Sequence, residues 1–74
     1  SVYGVKAYDE YFTVAVTRDN DVKAEYKIDY NDIDQFFDYG DFLYIGVNGI
    51  NFIFHHFSAS FQVLIQAMSE QQQV

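Results

Sequence analysis

The sequence has no cysteine, no proline and no tryptophan, and its four glycines stand singly. Without cysteine the chain has no disulfide, no thiolate metal ligand and no cysteine nucleophile, which suits a cytoplasmic protein. Isolated glycines exclude a glycine-rich phosphate loop. No apolar run approaches the roughly 20 residues that a membrane-spanning helix needs. These absences favour a cytoplasmic domain with no linker inside it.

Basic residues are also scarce. Lys6, Arg18, Lys23 and Lys27 stand against eleven acidic residues, which gives a net charge of −7. Such a surface repels phosphate groups, so the charge argues against direct binding to nucleic acid or to an anionic lipid surface. A protein partner, in particular a basic one, fits this charge better.

Aromatic residues, in contrast, are abundant. Eight Phe and seven Tyr among 74 residues exclude a disordered chain. Large rings enlarge the core of a small protein, since each buries on the order of 150–250 Å². We expect residues 1–74 to form a single small domain. The start at Ser1 rather than methionine suggests a piece of a longer protein.

Two stretches predict the first β-hairpin. In "EYFTVAVT" apolar residues alternate with polar or smaller ones, and "VKAEYKI" continues the alternation after the turn formers "RDND". We expect a five-residue loop from Arg18 to Val22, because this loop pairs apolar with apolar residues across the ladder. The expected pairs are Val16 with Ala24, Val14 with Tyr26, and Phe12 with Ile28.

Asn48-Gly49 predicts the second hairpin, because both residues suit the positive φ angles of a two-residue type I′ turn. The flanking segments "DFLYIGV" and "INFIFHH" then form one apolar column and one mixed, half-covered column. The apolar column, expected in the core, pairs Val47 with Ile50, Ile45 with Phe52, and Leu43 with Phe54. The mixed column pairs Gly46 with Asn51, Tyr44 with Ile53, and Phe42 with His55.

Three further elements complete the predicted fold. Short strands are expected over residues 2–8 and 33–39, the second between turns at Asn31-Asp32 and Gly40-Asp41. A helical apolar stripe predicts a helix over about 58–71, capped by Ser58 or Ser60. The stripe contains Phe57, Phe61, Leu64, Ile65 and Met68. The expected fold class is α+β, an antiparallel meander of five to six strands over about 2–55, closed by one C-terminal amphipathic helix, with a frayed tail at 72–74.

No residue pattern identifies a catalytic, metal or cofactor site. A calcium loop that starts at Asp29 would have Ile33 at a ligand position and Asp34 in place of its glycine. His55 and His56 are adjacent, so on a strand they point to opposite faces, one beside Phe42 and the other towards solvent. No serine lies in a strand–turn–helix elbow. We therefore expect no enzyme activity, no bound metal and no cofactor.

The segment "DYNDIDQFFDYGD" combines aspartate with tyrosine, a composition typical of protein-binding surfaces. One interpretation is that its aspartates only set turns and keep the sheet in solution, while its tyrosines complete the core. The other is a partner-binding surface. The residues of that candidate surface are Tyr30, Asp32, Asp34, Asp38, Tyr39 and Asp41.

Three short motifs follow the pattern of a known family. They are Tyr8, Asp9 and Phe12, then Tyr30, Asp32 and Ile33, then Phe42, Leu43, Tyr44 and Ile45. In these the chain resembles the C-terminal domain of bacterial YcxB-like proteins, a family similar to pleckstrin-homology and GRAM domains. The resemblance implies a pleckstrin-like half-barrel on the cytoplasmic side of a bacterial membrane, without enzyme activity.

The chain departs from that family in two respects. It has "FHHFSAS" where an isoleucine–proline–lysine-like step is usual, and it lacks the membrane-spanning helices that often precede the domain. Phosphoinositide binding is not implied, because that activity needs a basic cluster and only Arg18, Lys23 and Lys27 are near the first hairpin.

The first functional hypothesis is a non-catalytic protein-interaction or regulatory module of a larger bacterial protein, which binds a protein partner or its own parent chain. The alternative is a small acidic inhibitor, encoded by a phage or plasmid, that imitates nucleic-acid charge and blocks a basic enzyme site. An enzyme, the third hypothesis, would need a deep pocket around a carboxylate or histidine with a shifted pKa.

An exposed edge strand would also allow a homodimer. The expected location is the cytoplasm, or the cytoplasmic face of a membrane.

Overall fold

The computed structural model describes residues 2–71, and within them the chain has six antiparallel strands and one helix. The elements are β1 Val2–Ala7, β2 Tyr11–Arg18, β3 Asp21–Asp29, β4 Ile33–Asp38, β5 Phe42–Val47, β6 Ile50–His55 and α1 Ala59–Gln71. The strands form two open sheets, in the orders β1-β2-β3 and β4-β5-β6. The α+β class is confirmed, and the meander is divided between two sheets at a short 3₁₀ turn, Tyr30–Asp32. The predicted frayed tail, 72–74, lies outside the described residues.

In the first sheet the predicted pairing is confirmed and the predicted loop is wrong. Phe12 faces Ile28, Val14 faces Tyr26 and Val16 faces Ala24, as expected. The ladder then continues past a bulge that leaves Lys23 without a partner on β2, and ends at a two-residue turn rather than a five-residue loop. That turn consists of Asp19 and Asn20, with φ of +54° and +67°. Aspartate and asparagine tolerate this left-handed region better than most residues, so the turn can close tightly.

In the second sheet the Asn48-Gly49 turn and all six predicted pairs are confirmed. Asn48 has φ +50° and Gly49 has φ +82°, and the ladder runs from Val47 opposite Ile50 to Phe42 opposite His55. One predicted core residue, Ile50, is exposed. It lies next to the turn on the edge strand β6, whereas its partner Val47, on the central strand β5, is buried.

The core lies between the inner faces of the two sheets and one side of α1. Tyr26 of the first sheet meets Phe52 of the second edge to face, with ring centroids 5.4 Å apart. The helix packs on β1 and also contacts β6. The buried apolar residues of this cluster are Phe12, Val14, Ile28, Leu43, Ile45, Val47, Phe52, Phe54, Phe61 and Leu64. Strands β2, β3, β5 and β6 and helix α1 all contribute buried side chains to this cluster, so the two sheets and the helix depend on one another.

Ser58 caps the helix, as one of the two predicted caps. Its Oγ accepts a hydrogen bond from the N–H of Phe61 (3.2 Å) and donates one to the carbonyl of His55 (2.7 Å). Ser60, the other candidate, is a buried residue inside the helix. The prediction that Phe57 belongs to the apolar stripe is wrong. Phe57 precedes the capping residue, outside the helix, and its side chain is 90% exposed.

Among residues 2–71 no helix has the length and apolar character that crossing a membrane would require.

A side chain from β4 stabilises the Asn48-Gly49 turn. Ile33 pairs with Val47 and Gln35 with Gly46, so Asp34 is the extra residue of a bulge. Its Oδ2 accepts a hydrogen bond from the N–H of Asn48 at 2.9 Å. The bulge therefore aims a carboxylate at an N–H group in the turn.

We expect Asp34→Ala to lower the free energy of unfolding by about 1 kcal/mol, because a charge-assisted hydrogen bond at an exposed site is lost. Asp34→Asn keeps an acceptor oxygen and should lose less. Asp32→Ala, an exposed aspartate on the neighbouring 3₁₀ turn, is the matched control. Urea denaturation of the three variants measures the difference. Equal losses for Asp34→Ala and Asp32→Ala would contradict a role for Asp34 in the turn.

Candidate interaction face

The outward side of the second sheet carries a row of aromatic and aliphatic side chains. Side chains alternate along β5, so Phe42 and Tyr44 point away from the core while Leu43, between them, is buried. The ladder places Phe37 and Ile53 on either side of Tyr44. We call the set Phe37, Tyr39, Phe42, Tyr44 and Ile53 the outer face.

The outer face is exposed although it is apolar. Tyr39 is 59% exposed, Phe37 47% and Ile53 46%. The first sheet and α1 pack on the opposite side of the second sheet, so neither covers these side chains. A contiguous exposed apolar surface of this kind marks an interaction site more often than scattered apolar residues do.

Ring contacts hold the outer face in one arrangement. Tyr39 stacks on Phe42 with centroids 4.8 Å apart, and Phe37 lies 5.9 Å from Tyr39 and 6.2 Å from Tyr44. The hydroxyl of Tyr44 donates to Asn51 Oδ1 at 2.8 Å. A surface that is already ordered loses little conformational entropy on binding.

Only part of the predicted partner-binding set lies at the outer face. Asp38, Tyr39 and Asp41 belong to the end of β4 and the turn into β5, beside the stacked rings. Tyr30, Asp32 and Asp34 lie at the start of β4 or before it. Asp34 and Asp38 are four residues apart on an extended strand, or about 13 Å. The structure thus divides the six residues into two groups, and the role of each in binding stays a prediction.

Several of these residues have contacts within the chain. Asp38 Oδ1 accepts from the N–H of Gly40 at 2.9 Å, and the carbonyl of Asp41 accepts from the N–H (3.0 Å) and Nδ1 (2.9 Å) of His56. The carboxylate of Asp38 therefore orders the turn that presents Tyr39. The carbonyl of Asp41 links the same turn to the segment before α1.

Tyr30 is a half-buried residue that connects the two sheets. Its hydroxyl donates to the carbonyl of Tyr8 at 3.0 Å, and its ring lies 5.8 Å from that of Phe12. Burial raises the pKa of Tyr30, and the carboxylates of Glu70 and Asp9 raise it further. The phenol consequently stays protonated and keeps its donor role well into the alkaline range.

Charge is distributed unevenly along the chain. All four basic residues lie within residues 1–27, whereas residues 28–74 contain six acidic residues and neither Lys nor Arg. Those acidic residues are Asp29, Asp32, Asp34, Asp38, Asp41 and Glu70. On the first sheet, Lys27 Nζ lies over the ring of Tyr11, 4.5 Å from its centroid. The strands and turns of the second sheet, residues 33–55, contain neither Lys nor Arg, so none of their rings has a cation of this kind from the same sheet.

The two histidines have different surroundings. His55 pairs with Phe42 and is exposed, and His56 is half-buried with its ring 3.8 Å from that of Phe57. In the part of the chain that the structure describes, no three His, Asp or Glu side chains form a group suited to a metal ion.

The first sheet has a depression on its outward side. It has a volume of about 290 Å³ and is lined by Gly4, Val5, Lys6, Tyr8, Thr13, Ala15 and Glu25. Gly4 and Ala15 pair across β1 and β2, and their small size creates the hollow. Small-molecule sites usually occupy about 300–1,000 Å³ and enclose the ligand, so this hollow is at the lower limit.

Sequence reasoning concentrated on the aspartates and did not include Phe37, Phe42, Tyr44 and Ile53 in the candidate site. A signal for them existed, because Phe36 and Phe37 are adjacent and one of the two has to face away from the core. In the structure Phe36 packs against the core and Phe37 is exposed.

Comparisons with family models, with curated proteins and with solved structures gave no match. The resemblance to YcxB-like domains therefore rests on the short motifs in the sequence and stays a prediction. Function has to be inferred from the surfaces of the chain itself, and the outer face is the one with the clearest chemistry.

Proposed function

We propose that this chain is a non-catalytic protein-interaction module that binds a basic partner through the outer face. The observation that carries the proposal is an ordered, exposed aromatic surface with Asp38 and Asp41 next to it in the chain, on a sheet whose residues 33–55 contain neither Lys nor Arg. Aromatic residues are enriched in the centres of protein interfaces, and acidic residues around them select a partner with Lys or Arg at its rim.

The aromatic rings would supply most of the affinity. Binding removes the remaining exposed area of Phe37, Tyr39 and Ile53 from water, and each Å² of apolar area contributes about 25 cal/mol before the entropy of association is subtracted. An arginine of the partner can stack on a tyrosine ring and pair with Asp38 or Asp41 at the same time.

The resemblance to YcxB-like domains supports a module within a larger bacterial protein, at the cytoplasmic face of the membrane. In that setting the basic partner is either a separate protein or another segment of the parent chain. The charge-mimicking inhibitor remains the alternative, supported by the acidic second half of the chain. An aromatic surface is not required for that role, because an inhibitor of that kind acts through its carboxylates.

We expect the double variant Phe37→Ser/Tyr39→Ser to lose binding, because two exposed rings leave the interface. Protein captured on the wild-type domain from a bacterial lysate at low salt would be purified and titrated against both forms by calorimetry. The dissociation constant should rise about 30-fold or more. Raising the salt should weaken wild-type binding, since the partner is basic.

The matched control is Tyr8→Ser/Val22→Ser, which should bind as the wild type does. Both residues are exposed and distant in the chain from the outer face, Tyr8 in the connection after β1 and Val22 in β3. Melting curves confirm that each variant is folded. Unchanged affinity of Phe37→Ser/Tyr39→Ser would exclude the outer face. A partner lost on Asp38→Asn/Asp41→Asn but not on the aromatic variant would favour the charge-mimicking inhibitor.

A further inference from the structure

The two open sheets have four edge strands, β1, β3, β4 and β6. One of them, β6, lacks the features that usually prevent an edge strand from pairing with another chain. Edge strands are commonly guarded against self-pairing by charges, bulges or proline. β1 carries Lys6, β3 alternates Lys and Glu and has the bulge at Lys23, and β4 has the bulge at Asp34. β6, with the sequence INFIFH, has no Asp, Glu, Lys or Arg and pairs with β5 without a bulge.

Hairpin geometry shows which backbone groups of β6 point away from β5. In a two-residue hairpin the residues that flank the turn, here Val47 and Ile50, exchange both ladder hydrogen bonds, and every second pair does the same. Asn51, Ile53 and His55 fall between these pairs, so their N–H and C=O groups point outward. The carbonyl of His55 accepts from the N–H of Ser58 at 2.9 Å and from its Oγ. Asn51 and Ile53 therefore present both of their backbone groups at this edge, and His55 presents its N–H.

We infer that β6 pairs antiparallel with β6 of a second copy of this chain, about a two-fold axis at Ile53. In this register Ile53 faces the partner's Ile53 and exchanges two backbone hydrogen bonds with it. Asn51 faces the partner's His55, whose N–H donates to the carbonyl of Asn51. An apolar side chain then meets an apolar one at the axis, and neutral polar side chains meet on either side.

The pairing joins the two outer faces. Phe37, Tyr44 and Ile53 lie in one row across the second sheet, and across the axis the row continues as Ile53, Tyr44 and Phe37 of the second copy. The dimer therefore presents a six-stranded sheet with one continuous apolar row. It is independent of the proposed function, and it would make the binding surface bivalent.

Charge favours β6 over the other edges for contact between identical chains. Self-pairing of β4 would bring Asp34 and Asp38 against the same residues of a second copy, and like charges across a ladder are destabilising. β6 brings no formal charge to the contact. Each copy has a net charge of −7, so the remaining long-range repulsion opposes association and is screened by salt. The dimer should strengthen as salt rises, the reverse of binding to a basic partner.

One pair of six-residue strands buries less than the roughly 1,600 Å² of a standard interface. The dimer is therefore expected to exchange with the monomer, and the decisive experiment has to trap it. Ile53→Cys does this, because the chain has no cysteine of its own. Cα atoms of a hydrogen-bonded antiparallel pair are about 5.5 Å apart, within the range that a disulfide spans. Their Cβ atoms, also about 5.5 Å apart, have to approach by about 1 Å, which a small shift between the two edge strands provides.

In a glutathione redox buffer we expect Ile53→Cys to form a disulfide-linked dimer about tenfold faster than Val22→Cys, although Val22, on β3, is the more exposed of the two side chains (61% against 46%). Asn51→Cys and His55→Cys should cross-link faster when mixed than either does alone, since they face each other only between copies. Non-reducing gels measure both. Equal rates for Ile53→Cys and Val22→Cys, or no preference for the mixture, would overturn the proposal.

Sedimentation of the unmodified chain provides the second measurement. Association should increase from about 50 mM to 500 mM salt, over which screening becomes nearly complete. Ile53→Lys, which places like charges at the axis, should raise the dimer dissociation constant about tenfold or more, and Val22→Lys should leave it unchanged. A wild-type chain that stays monomeric up to millimolar concentration would exclude the dimer. Phe37→Ser/Tyr39→Ser changes residues at the opposite edge of the second sheet, away from β6. Loss of partner binding with an intact dimer, or loss of the dimer with intact partner binding, is therefore distinguishable.

Discussion

Phe52→Ala is expected to lower the free energy of unfolding by about 3–5 kcal/mol. Phe52 is 4% exposed, lies in the core between the two sheets, and contacts Tyr26 edge to face and Phe54 at 6.3 Å between centroids. The substitution removes the whole phenyl ring and leaves a cavity between the two sheets. A domain of this size is stable by only about 5–15 kcal/mol, so the loss would be a large fraction of the total. Urea denaturation followed by circular dichroism measures it.

The control for Phe52→Ala is Ile53→Ala, one residue further along the same strand. Ile53 is on the outer face, so its truncation should lower the free energy of unfolding by less than about 1 kcal/mol in dilute, monomeric protein. The difference between two adjacent residues reports directly which face of β6 is inside. Similar losses for both variants would contradict the orientation of this strand.

Local patterns were sufficient to predict much of the fold. Alternation along "EYFTVAVT" and its partner strand fixed the register of the first hairpin, and Asn48-Gly49 fixed that of the second. The loop of the first hairpin was mispredicted because Lys23 is bulged out of the ladder, and a bulge leaves the alternation on either side intact. Where the chain leaves one sheet and starts the next depends on how the sheets pack, and no local pattern carries that information.

The outer face was harder to predict than the strands that form it. Its composition comes from the pairing of β4 with β5, and that register depends on a bulge at Asp34. Without the bulge, Phe37 and Phe36 would exchange sides relative to Ile45, since a shift of one residue reverses every side chain. The predicted partner-binding surface is based mainly on aspartates, because they are frequent in this segment of the sequence. In the structure Asp34 and Asp38 also accept hydrogen bonds from backbone N–H groups in turns. Their two roles are compatible, because a turn that is held rigidly presents its neighbouring rings in one position.

Gly49→Val is expected to lower the free energy of unfolding by about 1–2 kcal/mol, since Gly49 has φ +82° and a β-branched residue is strained in that region. No atom lies within 4 Å of the position that a Cβ would occupy, so the effect comes from the backbone and not from a clash. For a domain of this length the melting temperature should fall by about 5–15 °C. The turn positions both β5 and β6, which carry five of the buried core residues, so its distortion should also broaden the transition.

Gly4→Val supplies the comparison that separates backbone strain from side-chain effects. Gly4 lies in β1, outside the positive-φ glycines, and the nearest atom to an added Cβ is the carbonyl oxygen of Ala15 at 4.0 Å. Valine suits a strand better than glycine, so this variant should melt at or above the wild-type temperature. D-alanine at position 49, introduced by chemical synthesis, favours positive φ and should retain full stability. A melting temperature unchanged by Gly49→Val, or lowered equally by D-alanine, would contradict the type I′ turn, and with it the register that places Phe52 inside and Ile53 on the outer face.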